Sequence, residues 1–349
     1  MNQIKIQDTG KDTTMENIQL YLPEGALTLP HLIPCTDTAA AIAENRFLTG
    51  SLRGLESACS QGRIVEGTVV LCDCQTMCLT VDFGSGIRGR IPREEACYQP
   101  DGAPVKDIAI ITRVGKPVQC RVMGFGRGEN GEIFVRLSRR EAQKECHERY
   151  LTHLLPGDII PARITHMEPF GAFMDIGCGM ISLATVDCLS VSRISHPRDR
   201  FSAGECILAV VRQNDPDTGR IYMSTRELFG TWEENAAGFT TAQTVTGIVR
   251  STEEYGVFVE LTPNLAGLAE PRDDCRPGDG CAVYIKSILP ERMKIKLVMI
   301  DLCDPPQRTD MRYFLPANGR HMDRWQYSPH RCERVIETVF GDMELQLQG

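Results

Sequence analysis

Two short segments hold residues that could stack on a nucleobase. Phe170-Gly171-Ala172-Phe173 and Tyr255-Gly256-Val257-Phe258 share an aromatic-Gly-small-Phe pattern at an offset of 85 residues. Side chains alternate between the two faces of a strand. Ala172, Met174 and Ile176 therefore make one apolar face, which leaves Phe173 on the other beside Asp175. The same parity puts Val257, Val259 and Leu261 inside, with Phe258 and Glu260 outside. An outward phenylalanine beside a carboxylate gains little from water, whereas a base stacked on it contributes about 1–3 kcal/mol. Phe170 and Tyr255 offer a second ring to each site. The competing reading packs these rings against a flanking domain or loop.

Cations follow by the same parity. Ile221 and Met223 face in, so Arg220 and Tyr222 face out; Ile295 and Leu297 face in, so Lys294 and Lys296 face out. Cations beside stacked bases would meet phosphates. His196, in the basic run Ser195-His196-Pro197-Arg198-Asp199-Arg200, is a candidate phosphate clamp, set against an ordinary solvated loop.

The elements that position these residues repeat. Segments beginning at Gly157 and Ala242 align, and a fainter copy begins at Gly62, where Leu79, Val81 and Phe83 face in and Met77 and Thr80 replace the aromatic pair. Each copy closes on a turn and a short alternating strand, as in Asp215-Pro216-Asp217-Thr218-Gly219 before Arg220. In the first copy the closing strand puts Phe134 and Arg136 outward. Short strands separated by Gly/Pro/Asn/Asp turns indicate an all-β fold. About seventy residues per copy suits a five-stranded barrel of the oligonucleotide-binding type.

These motifs resemble the S-one RNA-binding domain, and the chain is similar to short bacterial homologues of the ribosomal protein S-one family. The resemblance implies three tandem five-stranded OB-fold barrels with short helical connections and irregular termini. The expected divisions are an N-terminal extension over 1–57, a degenerate barrel over 58–143, RNA-binding barrels over 154–229 and 238–303, and a tail over 304–349. It also implies an RNA site made of Phe170, Phe173, Asp215 and Arg220 in the middle copy and Tyr255, Phe258 and Lys294 in the third. The family's site histidine falls at Ser182 and Glu270. Single-stranded RNA or mRNA and the small ribosomal subunit are the implied partners. An accessory factor in RNA decay and a protein-interaction scaffold are the alternatives.

Composition sets bounds. The net charge of −8 argues against coating DNA by bulk electrostatics. Residues 58–143 nevertheless hold twelve Lys/Arg against ten Asp/Glu, which would suit ribosome docking or phosphate contact. The first twenty residues lack a signal-peptide pattern and no apolar run reaches membrane-span length, so a cytoplasmic protein is expected. Fifteen scattered cysteines suit reduced thiols; Cys72, Cys74 and Cys78 share one parity and are expected to be buried rather than bound to zinc. Gly84-Ser85-Gly86-Ile87-Arg88-Gly89 matches a dinucleotide fingerprint, but Arg90-Ile91-Pro92 follows instead of a helix, so a tight turn is expected. With no nucleophile-base pair evident, neither catalysis, a metal, a cofactor nor a small-molecule substrate is expected. Residues 139–153 read as a helix joining the first two barrels, and 38–57 as helix-forming.

Overall fold

The computed structural model describes residues 6–8, 11–13, 39–84, 86–100, 102–128, 131–215, 218–304, 311–317 and 319–340. Strands β1 (Ile6–Asp8) and β2 (Lys11–Thr13) form a hairpin. Helices α1 (Ala39–Thr49) and α2 (Leu52–Gln61) follow and pack on the first barrel. Ser51 accepts the Gly54 N–H at the start of α2, and Gly62 ends it in the left-handed region at φ 62°. The Asn45 amide clips α1 to the barrel by bonding both backbone groups of Glu66, at 2.9 and 3.0 Å.

Three closed barrels come next. The first comprises β3 (Ile64–Cys72), β4 (Leu79–Asp82), β5 (Arg88–Ile91), β6 (Pro117–Arg127) and β7 (Ile133–Ser138), with the short helix α3 (Asp107–Ile111) before β6. Helix α4 (Arg139–Arg149) leads to the second: β8 (Ile159–Glu168), β9 (Gly171–Asp175), β10 (Ile181–Thr185), β11 (Cys206–Asp215) and β12 (Arg220–Ser224). Helix α5 (Trp232–Ala236) leads to the third: β13 (Thr244–Glu253), β14 (Gly256–Thr262), β15 (Leu265–Ala269), β16 (Gly280–Leu289) and β17 (Lys294–Cys303). Each closes when its third strand pairs in parallel with its fifth, the order being first, second, third, fifth, fourth. Closure removes the exposed edges that an open sheet would leave.

The expected interior residues are interior, except that Phe83 falls just past the end of β4 and is half-buried against the core. Leu79 and Val81, Ala172 and Met174, and Val257 and Val259 are all buried. The first barrel has its own core, while the second and third share one continuous apolar cluster with the C-terminal segment. Four side chains explain how neighbouring barrels are held. Arg139, buried at the start of α4, donates to the carbonyls of Ala96 in the first barrel and Gly179 in the second, at 2.9 and 3.1 Å. Glu260 of the third barrel accepts a bidentate pair from Arg200 of the second, at 2.6 and 2.8 Å. Arg250 completes that cluster at 2.7 Å from the same carboxylate.

The C-terminal segment crosses the second barrel and its junction with the third. It contributes β18 (Tyr313–Phe314), which pairs with β1, and the hairpin β19 (Arg324–Gln326) and β20 (Glu337–Val339). The buried Tyr313 hydroxyl accepts the Leu208 N–H at 3.3 Å, and the Tyr327 hydroxyl donates to the Asn264 carbonyl at 2.7 Å.

The cysteine expectation needs correction. β3 ends at Cys72 and β4 begins at Leu79, so Cys74 falls in an exposed turn and Cys72 and Cys78 are only half-buried. A turn interrupts the assumed alternation. Among the described residues thirteen cysteines are free, but Cys206 is disulfide-bonded, so the thiols are not all reduced as expected. Among the described residues no group of three or more His, Cys, Asp or Glu side chains could hold a metal ion. No helix among them is long and apolar enough to cross a membrane.

Candidate nucleic-acid interface

On the outer face of the second barrel Phe170 and Phe173 meet edge to face, with centroids 5.9 Å apart and planes at 89°. Tyr255 and Phe258 repeat that geometry on the third barrel at 6.1 Å and 87°. Phe170 is 55% exposed and Tyr255 66% exposed, so neither ring is consumed by packing. The glycine between the rings is required by close approach. A Cβ on Gly171 would lie 2.4 Å from the Ala184 carbonyl oxygen, and one on Gly256 would lie 2.4 Å from that of Ala269.

Register extends each pair into a row. Phe173 lies opposite Leu183, which lies beside Tyr222. Phe258 lies opposite Leu268, which lies beside Lys296. Tyr222 and Lys296 are thus equivalent, as are Arg220 and Lys294 two residues earlier on the same face. Arg220, Lys294 and Lys296 are exposed and Tyr222 is half-buried. Asp215 pairs in register with Arg220, but its carboxylate already accepts from Thr218, at 2.6 Å from the hydroxyl and 3.3 Å from the backbone N–H. It shapes the hairpin that presents Arg220.

Four expectations change in the structure. Ser182 and Glu270 do not occupy equivalent places: Ser182 is buried and its hydroxyl donates to the Ile221 carbonyl. Leu183 and Leu268 are equivalent by register, so the residue matching Glu270 is Thr185. The loops before β10 and β15 differ in length, which shifted the linear alignment. Glu260 does point out of its barrel, yet Arg200 and Arg250 cover it completely. Burial alone would push its carboxyl up, but the two guanidinium groups outweigh that and hold it below the usual glutamate range. His196 is anchored through Nδ1, which accepts the Arg198 N–H at 3.1 Å and caps the turn Pro197–Asp199, so only its Nε2 is left to meet a phosphate. Asp175, beside Phe173, is half-buried and accepts the N–H groups of Gly177 and Gly179 at 2.9 and 3.0 Å. Burial nevertheless raises its pKa.

Strict alternation does not point to His166. Its ring lies nearly parallel to Phe173, with centroids 6.0 Å apart and planes at 25°. Its Nε2 is held by Glu168 at 2.5 Å. In the third barrel Ser251 occupies the equivalent place opposite Phe258.

The equivalent face of the first barrel has another chemistry. Its row is Thr80, Arg90 and Arg136. The Arg90 guanidinium sits 4.3 Å from the centroid of the Phe134 ring and 3.1 Å from Glu132, so this barrel's outward ring is already covered by its own cation.

No family model matches the chain. Small ribosomal subunit protein bS1 of Leuconostoc lactis is 28% identical over 199 residues, which cover 54% of this chain and 45% of that protein. The bS1 protein of Rickettsia typhi is 28% identical over 217 residues, covering 61% and 36%. That of Rhizobium meliloti is 24% identical over 258 residues, covering 72% and 42%. The chain spans less than half the length of these relatives. Among solved structures, a multidomain protein with nucleic acid binding domains from Streptococcus pneumoniae aligns over 68% of this chain and 73% of its own at 14% identity and a TM-score of 0.23. GSP13 from Bacillus subtilis aligns over 20% and 55%, at 20% identity and a TM-score of 0.20. Scores this low carry no weight, and the fold rests on the three closed barrels themselves. By sequence, the chain is similar to small ribosomal subunit protein bS1 over about half or more of its own length.

Proposed function

We propose that this chain binds single-stranded RNA, including mRNA, through the outer faces of its second and third barrels. The observation that carries the reading is the duplicated edge-to-face aromatic pair, its first ring exposed and its second half-buried, each pair beside outward cations. Every base has a π-face, so such a platform accepts single strands with little sequence preference, and a duplex buries those faces. Phe170, Phe173, Tyr222, Tyr255 and Phe258 take bases; Arg220, Lys294 and Lys296 take phosphates. Asp215 shapes the turn, and His196 supports the neighbouring loop. The bS1 relatives support a place at the small ribosomal subunit, in the cytoplasm, as a binder rather than an enzyme. The exposure of Phe170 and Tyr255 favours a ligand over burial in a scaffold.

Filter binding of the purified chain to a labelled single strand and to the same strand in duplex tests the chemistry. Micromolar or tighter binding to the single strand, with weak binding to the duplex, is expected; equal binding to both would contradict stacking. Co-sedimentation with small ribosomal subunits tests the partner.

A further inference from the structure

The structure carries the second barrel's platform beyond its two phenylalanines. The β8–β9 register shifts between Ile164 and His166, and this bulge turns His166 outward onto Phe173. One face of its ring lies toward Phe173, the side chain is 63% exposed, and Glu168 fixes its orientation. The same ring lines a cleft of about 330 Å³, together with Thr165, Met167, Arg198, Phe201 and Ser202, among others. That volume is at the small end for ligand clefts. Arg198 is exposed and its guanidinium has no ion-pair partner among the described residues. Two residues on, Arg200 is buried against Glu260, which lies two residues along β14 from Phe258. The loop that walls the cleft is thereby fixed to the face of the third barrel that holds the other platform.

We propose that this cleft is a further RNA subsite, in which a base stacks on the free face of His166 and a backbone phosphate meets Arg198. It leads the strand from the platform of the second barrel toward that of the third. The inference rests on the RNA-binding reading above. Glu168, bonded to the edge of the imidazole at Nε2, repels phosphate, whereas Arg198 attracts it. The third barrel has no counterpart, since Ser251 stands where His166 would.

Fluorescence anisotropy of the full chain with a labelled single-stranded RNA of about 12 nucleotides tests the subsite, with circular dichroism as a check on folding. His166→Ser copies the residue of the third barrel's bulge. It is expected to weaken binding roughly five- to tenfold without changing the salt dependence. Arg198→Ala is expected to weaken binding several-fold and to lower the slope of log K against log salt by about 0.7. Phe173→Ala is the reference. If it loses affinity while His166→Ser and Arg198→Ala bind like wild type, the cleft is not a subsite although the platform stands. If folded wild type fails to bind, the RNA-binding reading itself is wrong.

Discussion

The first and second barrels share strand order, register and an apolar interior, but their outer faces differ residue by residue. Where the second presents Phe173, Leu183 and Tyr222, the first presents Thr80, Arg90 and Arg136. The second leaves its rings open, whereas the first lays Arg90 across Phe134. The interior fixes the barrel, and alternation leaves the exterior free to change without disturbing it. A barrel of this kind therefore says little about binding until its outward row is read.

That contrast can be broken where the barrels are joined. Removing one partner of a buried ion pair strands the others and costs about 3–5 kcal/mol. Glu260→Ala, which leaves Arg200 and Arg250 uncompensated, should lower stability by that order in urea unfolding. By contrast, breaking the exposed Arg90–Glu132 pair of the first barrel should cost about 0–1 kcal/mol. The Glu260 contribution also has a pH signature. Its folded pKa lies below the ordinary value near 4.3, so its stabilisation is full above about pH 5 and falls as pH drops through the folded pKa. Glu260→Gln should flatten that acid limb of the unfolding profile; an unchanged limb would assign it to other carboxylates.

The platform contrast comes next in size. Phe173→Ala should lose about 1–3 kcal/mol of single-strand affinity. Thr80→Ala, at the equivalent place on the first barrel, should change neither affinity nor stability by more than about 0.5 kcal/mol. The comparison sharpens by transplantation: Thr80→Phe with Arg90→Leu should free Phe134 and raise affinity for single strands, measured by anisotropy. A smaller effect belongs to the cations. Lys296→Ala should weaken binding modestly and lower the salt slope by about 0.7, while Tyr222→Ala at the equivalent place should leave the slope alone.

Much of this was legible because barrel strands alternate strictly over short stretches. Parity alone placed Phe173, Phe258, Arg220, Lys294 and Lys296 outside, and their strands bear that out. It failed where strands bulge or contacts span distant sequence. His166 is two residues from the buried Ile164, so strict alternation turns it inward; the bulge turns it out. Glu260 reads as a solvated carboxylate because its partner Arg200 lies 60 residues earlier. Ser182 and Glu270 do not match because loop length, which parity does not see, sets which residues of β10 and β15 correspond. The cysteines near Cys72 were read through a turn that ends the alternation.

The most direct measurement is anisotropy titration of a labelled single-stranded RNA of about 12 nucleotides with wild type and with the Phe173→Ala, Phe258→Ala double variant, folding verified by near-ultraviolet circular dichroism. Aromatic platforms on both barrels predict a fully folded variant whose affinity falls by more than either single change produces. A folded double variant that binds as tightly as wild type would contradict them and would place any RNA contact elsewhere on the molecule.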